Sequence, residues 1–372
     1  MIPDVIVVGA GAIGTSIAYQ LAKAGVSVTV FDRGQVGGGA TGASAGMIQL
    51  NPDRATPAAL AALEAESARL FPALAAELRE RTGVDVGYRQ SPLLHIALQA
   101  EEEPTLRAHR VWQADHEVAV SWLDRTAALD LEPGLNPDVR AALYYPNDHQ
   151  LSPLVLAQAL ARAAVDLGAV VREGTGVDRL LTEGDRVVGV GIGGERLLAG
   201  EVVIANGAWA SSWSVPLHTP IPVRPVRGQM VALRTIGTGL RHVVSSLQGY
   251  LITKADGATY VGTTVEEAGF DARPTAAGIA GLLALAPRLV PRLADATFTA
   301  AWAGLRPGTA DGRPLIGRIP GWQGVTLAAG HFRDGILLAP ITGELVADLL
   351  ANRRPRLPVD DFDPGRFLVR AA

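Results

Sequence analysis

The chain is 372 residues long, 48% hydrophobic and 19% charged, with a formal net charge of −4. This length suits two domains or one interleaved pair, the apolar share excludes a disordered chain, and no basic block or acidic tail is present to recruit nucleic acid. There is no cysteine, which excludes disulfides, thiolate zinc sites, iron–sulfur ligation and a cysteine-linked flavin.

The N-terminus reads as an apolar strand over 2–8, the turn Gly9-Ala10-Gly11-Ala12-Ile13-Gly14, and a helix over 12–24 that stops at Gly25. A second strand over 26–31 then delivers Asp32. In this arrangement Gly9 makes the tight turn, Gly11 lets backbone approach a pyrophosphate, and Gly14 lets helix and strand pack closely. The helix start offers N–H groups to the anion, and Asp32 stands where a carboxylate takes the adenosine ribose hydroxyls. A glycine triplet alone is weak, since a chain this rich in glycine yields about half a match by chance. Two further triplets, Gly37/Gly39/Gly42 and Gly189/Gly191/Gly194, lack the strand before, the helix after and the later acid. Context therefore selects the first as a dinucleotide site. With a strand expected from residue 2 there is no room for a cleaved signal peptide, and no apolar run reaches a membrane span, so a soluble, cytoplasmic protein is expected.

Residues 34–46 are dense in Gly, Ala, Ser and Thr and lead to Met47. Such a stretch either admits a flat or phosphorylated ligand or forms a flexible loop. Helical spacing of Leu60, Leu63, Leu70, Leu74 and Leu78 predicts a long helix over 57–81, followed by strands over 83–98 and an exposed helix over 101–116. Ser152-Pro153 starts a helix to about 167, and short strands follow at 169–173, 187–191 and 201–205, the last emptying into Asn206-Gly207. From 221 to 265 the pattern changes to successive β runs, with a helix over 274–285. These features predict an α/β protein in which a Rossmann-type nucleotide-binding domain is interleaved with a mainly antiparallel β domain.

The C-terminal part carries Arg306 between apolar residues and proline, a setting for a fixed guanidinium that forks onto a carboxylate or holds backbone carbonyls in a turn. An apolar strand over 325–329 precedes Gly330-His331-Phe332-Arg333-Asp334-Gly335, and a helix is expected over 336–350.

The run Ala-Gly-His-Phe-Arg-Asp-Gly-Ile-Leu-Leu-Ala-Pro at 329–340, the segment 302–317 and the N-terminal pattern together resemble the flavin-dependent amine oxidases of the D-amino-acid oxidase superfamily. Within it, the glycine oxidases of thiamine biosynthesis are most similar. The resemblance spans nearly the whole length. It implies a glutathione-reductase-like FAD-binding domain over 1–84, 147–219 and 299–372, with a discontinuous substrate domain over 85–146 and 220–298. It implies noncovalent FAD at Gly9, Ala10, Gly11, Ala12, Ile13, Gly14, Asp32, Arg33, Ala43, Ser44, Met47, Val177, Gly207, His331, Arg333, Asp334, Gly335, Ile336 and Leu337. Arg306 would pair with the substrate carboxylate, helped by Tyr250 and with Arg333 close by. The amides of 335–337 and a helix start would face the flavin carbonyl side.

The implied reaction is oxidation of glycine or another small amino acid, with hydride passing from the α-carbon to flavin N5. The products are an imine, destined for thiazole synthesis or hydrolysis, and hydrogen peroxide from O2. No residue is assigned as acid or base, no metal is expected, and His331 reads as a packed histidine. A homo-oligomer, a tetramer by resemblance, with no stable membrane association is implied. Sarcosine, a D-amino acid or a 2-hydroxy acid as substrate, and a dehydrogenase with a non-oxygen acceptor, are the neighbouring readings. An NAD-dependent enzyme or a non-catalytic nucleotide binder lies further off. The sequence departs from the family at Asp32, where many relatives carry Glu, and at Lys254, where Arg is common.

Overall fold

The computed structural model describes residues 2–235 and 239–368. Two sheets organise them. The first has six strands in the order Leu315–Arg318, Val325–Ala329, Glu201–Ile204, Val5–Val8, Val28–Phe31 and Val170–Arg172, all parallel except at the Leu315–Arg318 edge. Side chains alternate across it. Val5 and Val7 pack towards the helices Ala12–Lys23, Pro153–Asp166 and Ala339–Leu350, whereas Ile6 and Val8 face the antiparallel ribbon Arg179–Glu183, Arg186–Ile192, Glu195–Leu198. Runs apolar on both faces are what a covered parallel sheet requires.

The second sheet has eight strands, in the order Thr297–Gly308, Arg224–Arg234, Ala258–Gly262, Gly249–Thr253, Val243–Ser246, Leu93–Ala97, Ala141–Tyr145 and Ser121–Asp124. It is antiparallel apart from the Val243–Ser246 and Leu93–Ala97 pair. One face, with Val231, Val261, Leu251, Val244 and Leu94, is covered by apolar residues of the helix Ala276–Leu289. The other carries a row read straight across the register, Trp302, Met230, Gly262, Tyr250, Ser245 and His95. Directly paired residues share a face, so this row looks over the space between the two sheets.

Three expectations shift. The first strand begins at Val5, because Pro3 has no N–H to give a ladder. The last helix begins at Ala339 and not at 336, which leaves Pro340 in its first turn, where a missing N–H does no harm. The strand Thr297–Gly308 pairs along its length with Arg224–Arg234, so the expected division at 299 would cut it. We propose the two-unit division with that boundary moved to follow Gly308. Positions 1, 236–238 and 369–372 of those units lie outside the described residues.

Candidate active site

A cavity of about 1550 Å³ runs between the sheets. Its floor is the carboxyl ends of the six-stranded sheet, where open α/β sheets receive ligands: Val8-Gly9, Phe31-Asp32, Ala205-Asn206 and Ala329 all line it. The turn after the first strand is forced by close packing. Gly9 has φ +108°, and a Cβ there would lie 2.6 Å from the Ala205 carbonyl oxygen. A Cβ on Gly14 would overlap the Gly9 carbonyl. Ala10 and Gly14 accordingly shape the turn from outside the cavity wall, while Gly9, Gly11, Ala12 and Ile13 form it.

Asp32 holds this turn: Oδ2 accepts from the Ala10 N–H at 2.7 Å and Oδ1 from the Gly34 N–H at 2.8 Å. The Ala12 N–H donates to Thr41 Oγ1 at 3.0 Å. The N–H groups of Gly11 and Ile13 have no acceptor among the described residues. Thr41 was not among the expected site residues. It lies on the single helical turn Ala40–Ala43, into which the small-residue stretch folds and which carries Ala43 and then Ser44 to the wall. Arg33 lies over the Trp209 ring at 3.9 Å, and Phe270 stacks on that ring at 5.5 Å. Trp209 is half-buried at the cavity edge. Met47, Val177 and Gly207 complete this end.

The loop after Ala329 closes the opposite wall. Phe332 donates its N–H to the Pro307 carbonyl at 2.9 Å, which brings Arg333 beside the strand carrying Arg306. The amides of Gly335, Ile336 and Leu337 line the cavity with no acceptor among the described residues. The His331 ring turns away into the fold. Its Nε2 shares a hydrogen bond with Thr342 Oγ1 at 3.1 Å, and burial pushes its pKa down to about 3, so it stays neutral.

Arg306 and Arg333 both line the cavity, and neither has a carboxylate at ion-pair distance among the described residues. Elsewhere Arg227, Arg313, Arg356 and Arg366 are paired with acids. Glu344, a candidate partner for Arg333, is taken by Arg356 at 2.9 Å. Tyr250 stands between the two sheet edges, with its hydroxyl hydrogen on the soft Met230 sulfur at 3.5 Å. Burial pushes this phenol up to about 12 against the pull of Arg306 and Arg333, so it remains a donor.

Among the carboxyls that line the cavity, Glu64 and Asp334 are the two whose pKa burial raises. Glu64 is 8% exposed, lines the wall, and makes no hydrogen bond or ion pair among the described residues. Burial, with Asp334 and Asp53 nearby, pushes its pKa well up; burial also raises that of Asp334, against the Arg333 charge. Glu64 escaped the sequence reading although it sits with Ser67 on the buried stripe of the helix Ala58–Thr82, among Leu60, Leu63, Phe71 and Leu74. A buried acid in such a stripe is itself a signal. Lys254, just past the strand Gly249–Thr253, instead ties that sheet to two connecting segments, donating to the carbonyls of Ala45 at 2.8 Å and Leu151 at 2.9 Å.

A long slot with unpaired amides at both ends and a glycine cradle fits an extended phosphate-bearing cofactor with a flat head. Comparisons agree. The FAD dependent oxidoreductase family (DAO) matches residues 4–349. A glycine oxidase of Geobacillus kaustophilus is 38% identical over 367 residues, covering 98% of this chain and 97% of the relative. The bifunctional protein ThiO/ThiG of a Nostoc species is 35% identical over all of this chain, which spans 56% of that protein. The crystal structure of glycine oxidase from Geobacillus kaustophilus superposes with a TM-score of 0.94 at 37% identity, covering 99% of both chains.

Proposed function

Because the chain belongs to this family of FAD-dependent oxidoreductases, we propose that it oxidatively deaminates glycine or a similarly small amino acid. The imine is then captured for thiazole synthesis or hydrolysed. The observation that carries this reading is the pair of cavity guanidiniums, Arg306 and Arg333, with no carboxylate at ion-pair distance among the described residues. Two such forks beside a phenol donor suit a small carboxylate. Bound FAD would supply the two-electron acceptor for the α-carbon hydride and the route of those electrons to O2, with hydrogen peroxide as the product.

The chain's share is binding and orientation. The amides of Gly11 and Ile13 and the turn set by Asp32 would hold the pyrophosphate and ribose end. Arg33, Ala43, Ser44, Met47, Val177 and Gly207 would line the remaining length. The amides of Gly335, Ile336 and Leu337 would face the flavin carbonyl edge, where fixed N–H dipoles favour negative charge. Arg306 and Tyr250 would fix the carboxylate. With His331 turned inwards and neutral, the site is suited to an amine that arrives unprotonated, needing no strong base.

Among the described residues no helix is long and apolar enough to cross a membrane. A cytoplasmic homo-tetramer completes the proposal, with light scattering on the purified protein as its check. The decisive experiment is anaerobic addition of glycine to the purified protein while the visible flavin band is followed. Bleaching at millimolar glycine, with peroxide on re-aeration, is expected. A yellow protein that does not bleach with glycine but does with another amine or hydroxy acid would overturn the substrate. A protein that stays colourless after FAD is added would overturn the whole reading.

A further inference from the structure

We propose that Thr263 is a positioning residue for Arg306: its hydroxyl holds the guanidinium in the one orientation that presents the rest of its fork to a carboxylate. This rests on the reading of Arg306 as the carboxylate-binding group. Arg306 leaves the edge strand opposite Val226 and passes over Gly228, where any Cβ would collide with its guanidinium. Nothing at Gly228 therefore fixes the side chain from below. Two bonds fix it from the far side, Nη2 to Thr263 Oγ1 at 2.7 Å and Nη1 to the Thr264 carbonyl at 3.3 Å.

The Thr263 hydroxyl can serve only one way round. A guanidinium has five N–H donors and no acceptor, so Oγ1 must accept from Arg306 and spend its own hydrogen on the Gln229 carbonyl at 3.2 Å or the Thr264 carbonyl at 3.3 Å. The pair Thr263-Thr264 is itself anchored. Gln229, fully buried, donates its N–H to Thr264 Oγ1 at 2.9 Å, and its side chain bonds Glu266 Oε1 at 2.7 Å and both the N–H and the hydroxyl of Thr275. Glu266 is in turn held by the buried Arg227.

Of the five Arg306 donors, two are thus used on the fold and three remain: the Nε hydrogen and one on each terminal nitrogen. Three are enough for a two-point grip on a carboxylate. Both fold partners are neutral, so the positive charge is left to the ligand. A carboxylate in place of Thr263 would have fixed the arginine equally well and cancelled its purpose.

The test uses the FAD-loaded protein, with acetate as a non-reacting carboxylate whose binding is read from the visible flavin spectrum, and glycine for steady-state kinetics. Thr263→Val keeps the shape and removes the hydroxyl. Acetate affinity should fall about tenfold, the loss expected for one hydrogen bond to a charged group. The glycine KM should rise in step, with kcat within about twofold. Thr263→Ser should restore both, a rescue that general loosening of the strand would not give. If Thr263→Val does not retain FAD, Thr263→Ala makes the same deletion without the branched methyl groups. Acetate affinity in the hydroxyl-free variant within twofold of the parent, with Arg306→Ala having lost it, would overturn the positioning role and leave the Arg306 reading standing. Acetate affinity unchanged in Arg306→Ala would overturn both.

Discussion

The cavity wall that hangs from the six-stranded sheet is made of backbone, and the wall that hangs from the eight-stranded sheet is made of side chains. On the first side, Gly9, Gly11 and Ile13 present main-chain atoms, and Asp32 and Thr41 spend their side chains holding that main chain in place. On the second, Arg306, Tyr250 and Met230 project from flat strands. A backbone site depends on the absence of Cβ atoms at particular positions. A side-chain site depends on rotamers, and so on residues behind the ones that touch the ligand. The first tolerates no added carbon, while the second is retuned one residue at a time.

That contrast can be broken in several places, the most sensitive being Arg306. Arg306→Ala should lower kcat/KM for glycine by about 3–4 kcal/mol, on the order of a hundred- to a thousandfold, while leaving the flavin bound. Steady-state kinetics with a flavin-to-protein absorbance ratio checks both halves. Arg306→Lys should recover little, because a point charge cannot replace the fork. On the backbone side the same measurement should give the reverse pattern. Gly9→Ala places a Cβ at φ +108° and 2.6 Å from the Ala205 oxygen. It should destabilise the fold by about 1–3 kcal/mol and lower the bound flavin per chain.

A smaller effect tests the carboxyl that belongs to neither pattern. Glu64, with Asp334 and Asp53 nearby, has its pKa raised by burial, so the folded state favours its protonated form. Its stability contribution is then full below the ordinary carboxylate range and lost as pH rises through the raised value. Glu64→Gln does not titrate. Its melting temperature relative to the parent should therefore climb with pH, by about 2 °C on moving from acid to mildly alkaline buffer. A difference flat with pH would remove the neutral acid. Smallest of all, Thr41→Val removes the acceptor of the Ala12 N–H and should weaken FAD binding by about 1 kcal/mol, measurable by fluorescence titration of the apoprotein.

The same contrast decides what was legible in the chain. The stretch from Gly9 to Asp32 could be read directly, because a glycine between a buried strand and a helix is a statement about backbone. Arg306 was legible as a fixed guanidinium, though its role came from the resemblance carried by 302–317 and 329–340. Thr263, Gln229 and Glu64 were not read. Thr263 meets Arg306, 43 residues on, only because the strand Arg224–Arg234 pairs on one side with Ala258–Gly262 and on the other with Thr297–Gly308, and nothing local marks a threonine as a rotamer stop. Glu64 did leave a trace, an acid on a buried stripe, which the leucine spacing overshadowed. Pro340 could have corrected the start of the last helix from sequence alone.

The loop 331–337 belongs to both walls at once. Its Phe332 amide is tied to Pro307, one residue from Arg306, and three residues later begin the free amides of Gly335, Ile336 and Leu337 that would meet the cofactor. A segment this short cannot settle one end and leave the other loose. Occupancy of the carboxylate site and of the cofactor site beside it would therefore be linked, and linkage is reciprocal. Whatever factor bound FAD adds to the affinity for a small carboxylate, that carboxylate must add to the retention of FAD. An abundant amino acid would then act as a keeper of the cofactor, slowing its escape from the very protein that consumes it.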